Sequence, residues 1–246
     1  MMRHFKASAL AVAALMLLFA CTPGYAQEEK RFSFTPYLWL MGVDGIMTVR
    51  GQTVPVDVSA GDIFGAAKWG LTGHFEVNAD GWGLIFDGQY LSMHEELNLI
   101  EGLPTVTDAR ATMGSFEALI AYDFAEHYKV IGGGRYVHMG SKLEVGDFEL
   151  VDQSKNWFDP IVGMQADIPL ADRWLWWTRF DIGGFNVGSE FTWNFLTGVN
   201  WDMTDWGSLF IAYRYWDVKY DDGEGNELFR WDTRTSGPGF GMTFKF

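Results

Sequence analysis

The sequence predicts an all-β fold: a transmembrane, up-and-down antiparallel β-barrel of about ten strands, with eight and twelve as neighbouring counts. Three observations point there. Aromatic residues make up 17% of the chain, with 12 Trp, yet after the first 26 residues no run of 18 apolar residues marks a membrane helix. Long segments alternate with a period of two and gather their charges on one face. Short polar turns and longer polar loops then succeed one another along the chain.

Residues 1–26 are set apart from the fold. Arg3, His4 and Lys6 precede an apolar run from Ala7 to Ala20, and Gly24 and Ala26 supply small residues at −3 and −1 of a cut after Ala26. This is the pattern of a secretory signal peptide. A lipoprotein signal ending at Cys21 is the rival reading, but Phe19 is bulky for that site. The cut leaves 27–246 as one expected barrel domain. It removes Arg3 and Lys6 and no acid, so the net charge moves from −14 to −16, and the only cysteine goes with it. Stability must then come from a full core or a closed sheet, not from disulfides. The acidic balance argues against nucleic acid as a partner.

The strand segments justify themselves by parity. Trp174 to Gly184 places Trp174, Trp176, Thr178, Phe180 and Ile182 on one face. Leu175, Trp177, Arg179, Asp181 and Gly183 fall on the other. About eleven such residues suffice for a tilted strand to cross a bilayer. Residues 206–216 repeat the theme, with Leu209, Ile211, Tyr213 and Tyr215 opposite Ser208, Phe210, Ala212 and Arg214. Arg135 lies opposite Val130, Gly132, Gly134 and Tyr136. Glu117 lies opposite Phe116, Ala118, Ile120 and Tyr122, and Asp87 and Gln89 opposite Leu84, Phe86 and Tyr90. A soluble strand also alternates. The recurrence of mid-strand charge in segments this long favours lipid outside and a polar lumen inside.

Four short connections look alike: Asn78 to Trp82, Asp123 to Tyr128, Asp167 to Trp174 and Asp202 to Trp206. Each has polar turn residues and starts the next strand with a ring suited to a membrane interface. Five longer segments lie between them: Val43 to Lys68, Leu97 to Asp108, Gly146 to Lys155, a tight bend near Gly188-Ser189, and Asp221 to Glu227. Four turns and five loops join ten strands. Ile46 to Val49 and Val54 to Val58 are either an extra hairpin above the membrane or two further strands. The chain closes on Pro238, Phe240, Met242, Phe244 and Phe246 in alternation. This strand is expected to pair with the first, because an open edge in lipid leaves backbone groups unpaired. Pro238, lacking a donor, belongs near a bulge or strand end.

Several stretches resemble a large family of Gram-negative outer-membrane β-barrel proteins without an assigned activity, small and porin-like. They are Thr35-Pro36-Tyr37-Leu38-Trp39, Asp57-Val58-Ser59 with Asp62-Ile63-Phe64, and Gly81-Trp82-Gly83-Leu84 with Asp87. Further on come Trp157 to Gly163, Gly183-Gly184-Phe185 with Gly188-Ser189, and Tyr213-Arg214-Tyr215. The resemblance implies a barrel in the cell outer membrane, reached after export and cleavage at about Ala26. Its surroundings would be outer-membrane lipid and lipopolysaccharide. It also implies that the barrel-assembly machinery reads the terminal Phe246. It brings no catalytic residues and no cofactor.

Chemistry must be sought in the residues themselves. No second His follows His94-Glu95-Glu96 at a metal-binding offset, and no Gly-x-Ser-x-Gly elbow is present. His94, Glu95, His138 and Asp217 are the groups an outer-rim enzyme would need to bring together; the expectation is that the protein is not an enzyme. Asp221 to Glu227 has oxygen ligands and glycines compatible with calcium, but without the full ligand spacing it reads as a solvated acidic loop. Gly132-Gly133-Gly134 makes room for neighbouring rings and is no phosphate loop.

By parity the lumen holds Glu76, Asp87, Glu117, Arg135, Asp159, Arg179, Asp181 and Arg214, with His74 beside them. Acids and arginines on a low-dielectric wall are expected to pair across the interior. Ten strands lie nearer the filled eight-stranded barrels than the open sixteen-stranded ones. The expected role is therefore structural or small-solute permeation through a narrow or plugged lumen. The alternative is an outer-membrane enzyme, or a barrel whose loops bind a ligand or surface.

Overall fold

The computed structural model describes residues 31–49, 51–98, 106–145 and 148–246. The expected signal peptide, its cleavage site at Ala26 and Cys21 lie outside the described residues. The strands are β1 (Arg31–Trp39), β2 (Gly42–Val49), β3 (Gln52–Val58), β4 (Ala67–Ala79), β5 (Trp82–Asn98) and β6 (Val106–Ala125). They continue as β7 (Tyr128–Val145), β8 (Phe148–Ala171), β9 (Trp174–Gly183), β10 (Phe191–Thr204), β11 (Gly207–Asp222) and β12 (Phe229–Lys245). A short helix, α1 (Ala60–Ala66), joins β3 to β4.

Ten strands close an antiparallel barrel, in the order β1, β4, β5 and so on to β12, with β12 pairing back onto β1. The expected ten strands are what the chain forms. The seam is the predicted one: Ser33 pairs with Lys245 and Phe34 with Phe244, and the Phe246 amide donates to the Phe32 carbonyl at 2.9 Å. The segment left open between hairpin and strands is a hairpin. β2 and β3 pair with each other, and β2 lies along the outer half of β12, from Gly42 opposite Ser236 to Thr48 opposite Arg230.

Pro238 sits where β12 changes partner. Its carbonyl accepts from the Leu40 amide at 2.9 Å, so its donorless edge faces the break between β1 and β2.

One end of the barrel carries the four tight turns. Asp80-Gly81 joins β4 to β5 with positive φ at both residues (54° and 75°) and no bulge. This is the two-residue hairpin that Asp-Gly favours. The other three turns lack glycine at their centres, and each is accompanied by a register shift, between Asp123 and Ala125, Pro169 and Ala171, and Asp202 and Thr204. At this end an exposed aromatic girdle forms. Trp82 meets Tyr122 (4.7 Å between centroids), Tyr128 meets Phe124 (6.2 Å), Trp174 meets Trp201 (6.0 Å) and Trp206 meets Phe244 (6.3 Å).

The far end is taller than the sequence suggested. Gly146 to Lys155 and the flanks of Leu97 to Asp108 were expected as loops, but β8 begins at Phe148, β5 runs to Asn98 and β6 starts at Val106. Continued cross-strand pairing satisfies the backbone beyond the bilayer, where polar composition alone reads as loop. Above β3 the chain enters α1 through a capping box: Ser59 Oγ accepts from the Asp62 amide, and the Asp62 carboxylate accepts from the Ser59 amide at 3.1 Å. The Ser59 hydroxyl and amide together hold the Asp62 carboxyl below its usual range.

The inward face corrects the expectation of a uniformly polar lumen. Toward the tall end it is apolar, built of Trp39, Met113, Val137, Met139, Trp157, Trp216, Val218, Tyr220 and Phe229, with Ile63 of α1 packed in. A second apolar layer, Ile85, Leu119, Ala121, Ile131 and Ile161, lies toward the turn end. A cluster of arginines and carboxylates occupies the level between, and a further charged group, Lys129 with Glu76 and Asp167, lies nearer the turns.

Candidate functional site in the barrel lumen

The middle layer is assembled by register. Asp87 of β5 stands opposite Glu117 of β6, and Glu117 opposite Arg135 of β7. Across the sheet, Asp181 of β9 pairs with Asn194 of β10, which pairs with Trp216 of β11. Curling the sheet into ten strands brings these rows face to face.

Glu117 is the hub. Its Oε1 accepts from Arg135 Nε at 2.8 Å and Arg214 Nη2 at 3.3 Å, and its Oε2 from Arg179 Nη2 at 2.7 Å. Asp181 takes Arg135 Nη2 on one oxygen at 2.7 Å and Arg179 Nη2 on the other at 2.8 Å. Arg214 Nη1 stands 3.8 Å from Asp87, which also accepts from the Tyr37 hydroxyl at 3.0 Å and faces His74 Nδ1 at 3.3 Å. Asn194 ties the two halves, donating to Asp181 at 2.8 Å and accepting from Arg214 Nε at 3.0 Å. Three arginines thus meet three carboxylates, and Glu117, Arg135 and Asp181 are each 0% exposed. Among the described residues, Arg135 Nη1 and Arg179 Nε find no acceptor.

The guanidinium faces are used as well. Arg214 lies 4.8 Å from the Trp39 ring centroid and 5.5 Å from that of Trp216; Arg135 lies 5.2 Å from Trp216. The apolar layer above therefore rests directly on the charged one, and the Arg–aromatic contacts are desolvated, where they are strongest.

Six of the eight lumen residues read from the sequence converge here: Asp87, Glu117, Arg135, Arg179, Asp181 and Arg214. Two stand elsewhere. Glu76 stands nearer the turns, accepting from Lys129 Nζ at 2.9 Å and Asn78 Nδ2 at 2.9 Å, with Asp167 3.4 Å from the same lysine, and is joined to the cluster through His74, which lies 3.7 Å from Glu76 and 3.3 Å from Asp87. Asp159 is buried against neutral donors. Its Oδ1 takes the Ser189 amide at 2.7 Å and hydroxyl at 2.9 Å, and its Oδ2 takes Trp157 Nε1 at 3.0 Å. Asp159 thereby pins the β9–β10 loop, in which Gly184, Phe185 and Asn186 all have positive φ (86°, 51° and 59°). Positive φ is costly for Phe, and the bonds at Ser189 hold it in place.

Asn194 and Trp216 are not marked by the sequence, and Tyr37, Trp39 and Trp157 enter it only in stretches that carry the family resemblance, with no lumen role. Trp216 shares the parity of Arg214, but an uncharged or apolar side chain gives no signal of pairing.

The other sequence candidates do not form a site. His138 lies on the lipid side of β7, bonded to Asn156 Oδ1 at 2.7 Å and facing Thr112 Oγ1 at 3.3 Å. Asp217 lies on the outer face of β11, 3.8 Å from Arg234. Strands β8, β9 and β10 separate them. The side chain of Glu95 lies outside the described residues. Among the described residues no group of three or more His, Cys, Asp or Glu side chains is arranged to hold a metal ion. In the Asp221 to Glu227 segment, Asp222 is engaged by Lys155 at 2.7 Å.

The fold has solved counterparts. The chain is similar to the outer membrane protease OmpT from Escherichia coli, with a TM-score of 0.54 at 9% identity, over 92% of this chain and 99% of that one. Ail, the attachment invasion locus protein of Yersinia pestis, solved with the heparin analogue sucrose octasulfate, is matched at a TM-score of 0.39 and 12% identity, over 89% of this chain and all of that one. Neisserial surface protein A is matched at a TM-score of 0.35 and 12% identity, again over 89% and 100%. No protein-family model and no curated protein matches the sequence. At these identities the likeness is one of fold, and the fold is that of an outer-membrane β-barrel.

Proposed function

We propose that this chain works in the outer membrane as a sealed barrel, whose lumen stabilises the fold and does not serve as an open diffusion pore. The observation that carries this reading is the mid-lumen cluster centred on Glu117, Arg135 and Asp181, each 0% exposed. Charges taken out of water are tolerable only when tightly paired, and these are. Apolar layers lie on both sides of them, and an apolar constriction resists wetting. The separation of His138 from Asp217 supports a non-catalytic role. The exposed aromatic girdle supports residence in lipid, and the backbone pairing of Phe246 at the seam supports its being read during barrel assembly.

The mature chain, refolded and inserted in planar bilayers, tests the reading. A sealed barrel gives no sustained conductance. Steady ohmic steps from the unmodified protein would overturn it. A second reading, gated passage of a small ion, draws on one observation, the two guanidinium N–H groups of Arg135 and Arg179 that lack an acceptor among the described residues. It predicts brief, voltage-dependent openings in the same recording.

A further inference from the structure

His74 lies where the charged middle layer meets the group nearer the turns, and carboxylates flank its imidazole on both sides. Nδ1 faces Asp87 Oδ2 of β5 at 3.3 Å, and Nε2 faces Glu76 Oε2 of its own strand at 3.7 Å. A neutral imidazole has one N–H donor and one bare acceptor nitrogen. Whichever nitrogen were bare would turn its lone pair on a carboxylate oxygen. Only the ring protonated at both nitrogens is attracted on both sides. The other elements packed here bring partners of their own. From β1 the Tyr37 hydroxyl donates to the second oxygen of Asp87, and Thr35, opposite His74 in register, bonds Thr243 of β12. Lys129 of β7 lies 2.9 Å from Glu76 and 3.4 Å from Asp167 of β8, with the exposed Asp123 of β6 adding to the acidic field on it. Arg214 of β11 stands 3.8 Å from Asp87 and 3.3 Å from Glu117 of β6. Lys245 of β12 is taken by Asp202 of β10 at 2.6 Å.

The balance of charge points the same way. Ion pairs join the two groups through His74 into one ladder down the lumen. Its acids are Asp87, Glu117, Asp181, Glu76 and Asp167. Its permanent cations are Arg135, Arg179, Arg214 and Lys129. Five negative charges thus meet four positive ones, and a proton on His74 makes them equal. Asp159 stands outside this balance, because the Ser189 amide and hydroxyl and Trp157 Nε1 satisfy it. An unmatched charge held away from water is costly, so the ladder favours a fifth cation. The His74 side chain is 28% exposed against 1% for Glu117, so water can deliver or remove that proton. We propose that His74 is the pH-sensitive clamp of the lumen. Protonated, it ties the middle layer to the group nearer the turns through Asp87 and Glu76; loss of its proton as pH rises releases the tie. The inference rests on the sealed-lumen reading above.

The test uses the refolded mature chain in detergent, with isotope-labelled histidines followed by nuclear magnetic resonance as pH is raised. His94→Gln, His127→Gln and His138→Gln together leave His74 as the one histidine after residue 26, so its ring is read without ambiguity. A free histidine gives up its proton at about pH 6.5. The His74 ring should still carry a proton on both nitrogens at about pH 7.5. A neutral ring at that pH would overturn the inference. Urea titration of the unmodified chain against His74→Gln reads the consequence. Below about pH 6.5 the variant should unfold with an equilibrium constant larger by roughly tenfold or more, which is one unit of displaced titration. A folded state that keeps a proton the unfolded chain has released loses stability as pH rises. The gap between the two proteins should therefore narrow above about pH 6.5 and vanish where the ring becomes neutral. A gap of the same size at every pH would make His74 a packing residue only and sink the clamp. The ring titration decides the matter even if His74→Gln does not refold. Bilayer conductance reports the other reading separately. Steady steps with a charged ring refute the sealed lumen and leave the clamp standing; silence with a neutral ring refutes the clamp alone.

Discussion

Replacing Glu117 by Gln tests the sealed lumen most directly. The amide keeps the volume of the side chain but removes the charge that three arginines share, at 2.7, 2.8 and 3.3 Å. Afterwards Arg135 and Arg179 still face Asp181, and Arg214 still has Asp87 at 3.8 Å. Three guanidinium charges then meet two carboxylates between two apolar layers. Leaving a buried charge uncompensated costs about 3–5 kcal/mol. With a urea dependence of about 2–3 kcal/mol per molar, the unfolding midpoint should fall by about 1–2.5 M. The assay is urea titration of the barrel in detergent, followed by tryptophan emission and by gel mobility of unheated samples. Lys219→Ala, which removes a pair exposed to solvent, provides the contrast and should scarcely move the midpoint. If Glu117→Gln leaves both the midpoint and the bilayer conductance unchanged, the cluster is neither desolvated nor structural, and the reasoning fails.

Other expectations follow from the same geometry. Arg179→Ala and Arg135→Ala should lower the midpoint and open a leak in a sealed barrel; in a wet channel they should leave stability alone and shift the reversal potential toward cations. Asp159→Ala strips the Ser189 amide and Trp157 Nε1 of their acceptor, at about 1–3 kcal/mol, so the Gly184 to Ser189 loop should be cut faster by added protease. Gly188→Ala should act alike, because a Cβ there would meet Asp159 Oδ1 at 2.7 Å and the Phe158 carbonyl; resistance equal to wild type in both variants would remove the pin from the account. Phe246→Ser, or deletion of Phe246, should reduce the folded, heat-modifiable form in cells, and normal amounts at low and high expression would count against its role in assembly.

Much of this was legible in the residues, for a reason of geometry. A β-strand alternates its side chains with a period of two, so parity alone assigns Arg179 and Asp181 to one face and Trp176 and Phe180 to the other. Turn chemistry is equally local. Asp80-Gly81 can close a hairpin wherever it stands, and four turns with five loops give ten strands by counting. The chain therefore announces its barrel, its seam through Phe246 and the identity of most inward charges. The aromatic residues beginning β5, β7, β9 and β11 likewise carry their own placement at a membrane interface.

Partnership is another matter. Glu117 meets Arg214 across 97 residues of chain and Arg135 meets Asp181 across 46, and only closure of the sheet fixes which inward rows face one another. Parity put Glu76 and Asp159 on the same face as the cluster, but depth along the axis, set by strand stagger, sent one toward the turns and the other under the β9–β10 loop. The same stagger decided that the inward face is layered, since Val137 and Met139 share parity with Arg135 yet stand at a level where Trp157 and Trp216 fill the bore. Alternation is a property of one strand and is written in its residues. Depth and opposition belong to ten strands wound together, and no stretch of sequence contains them.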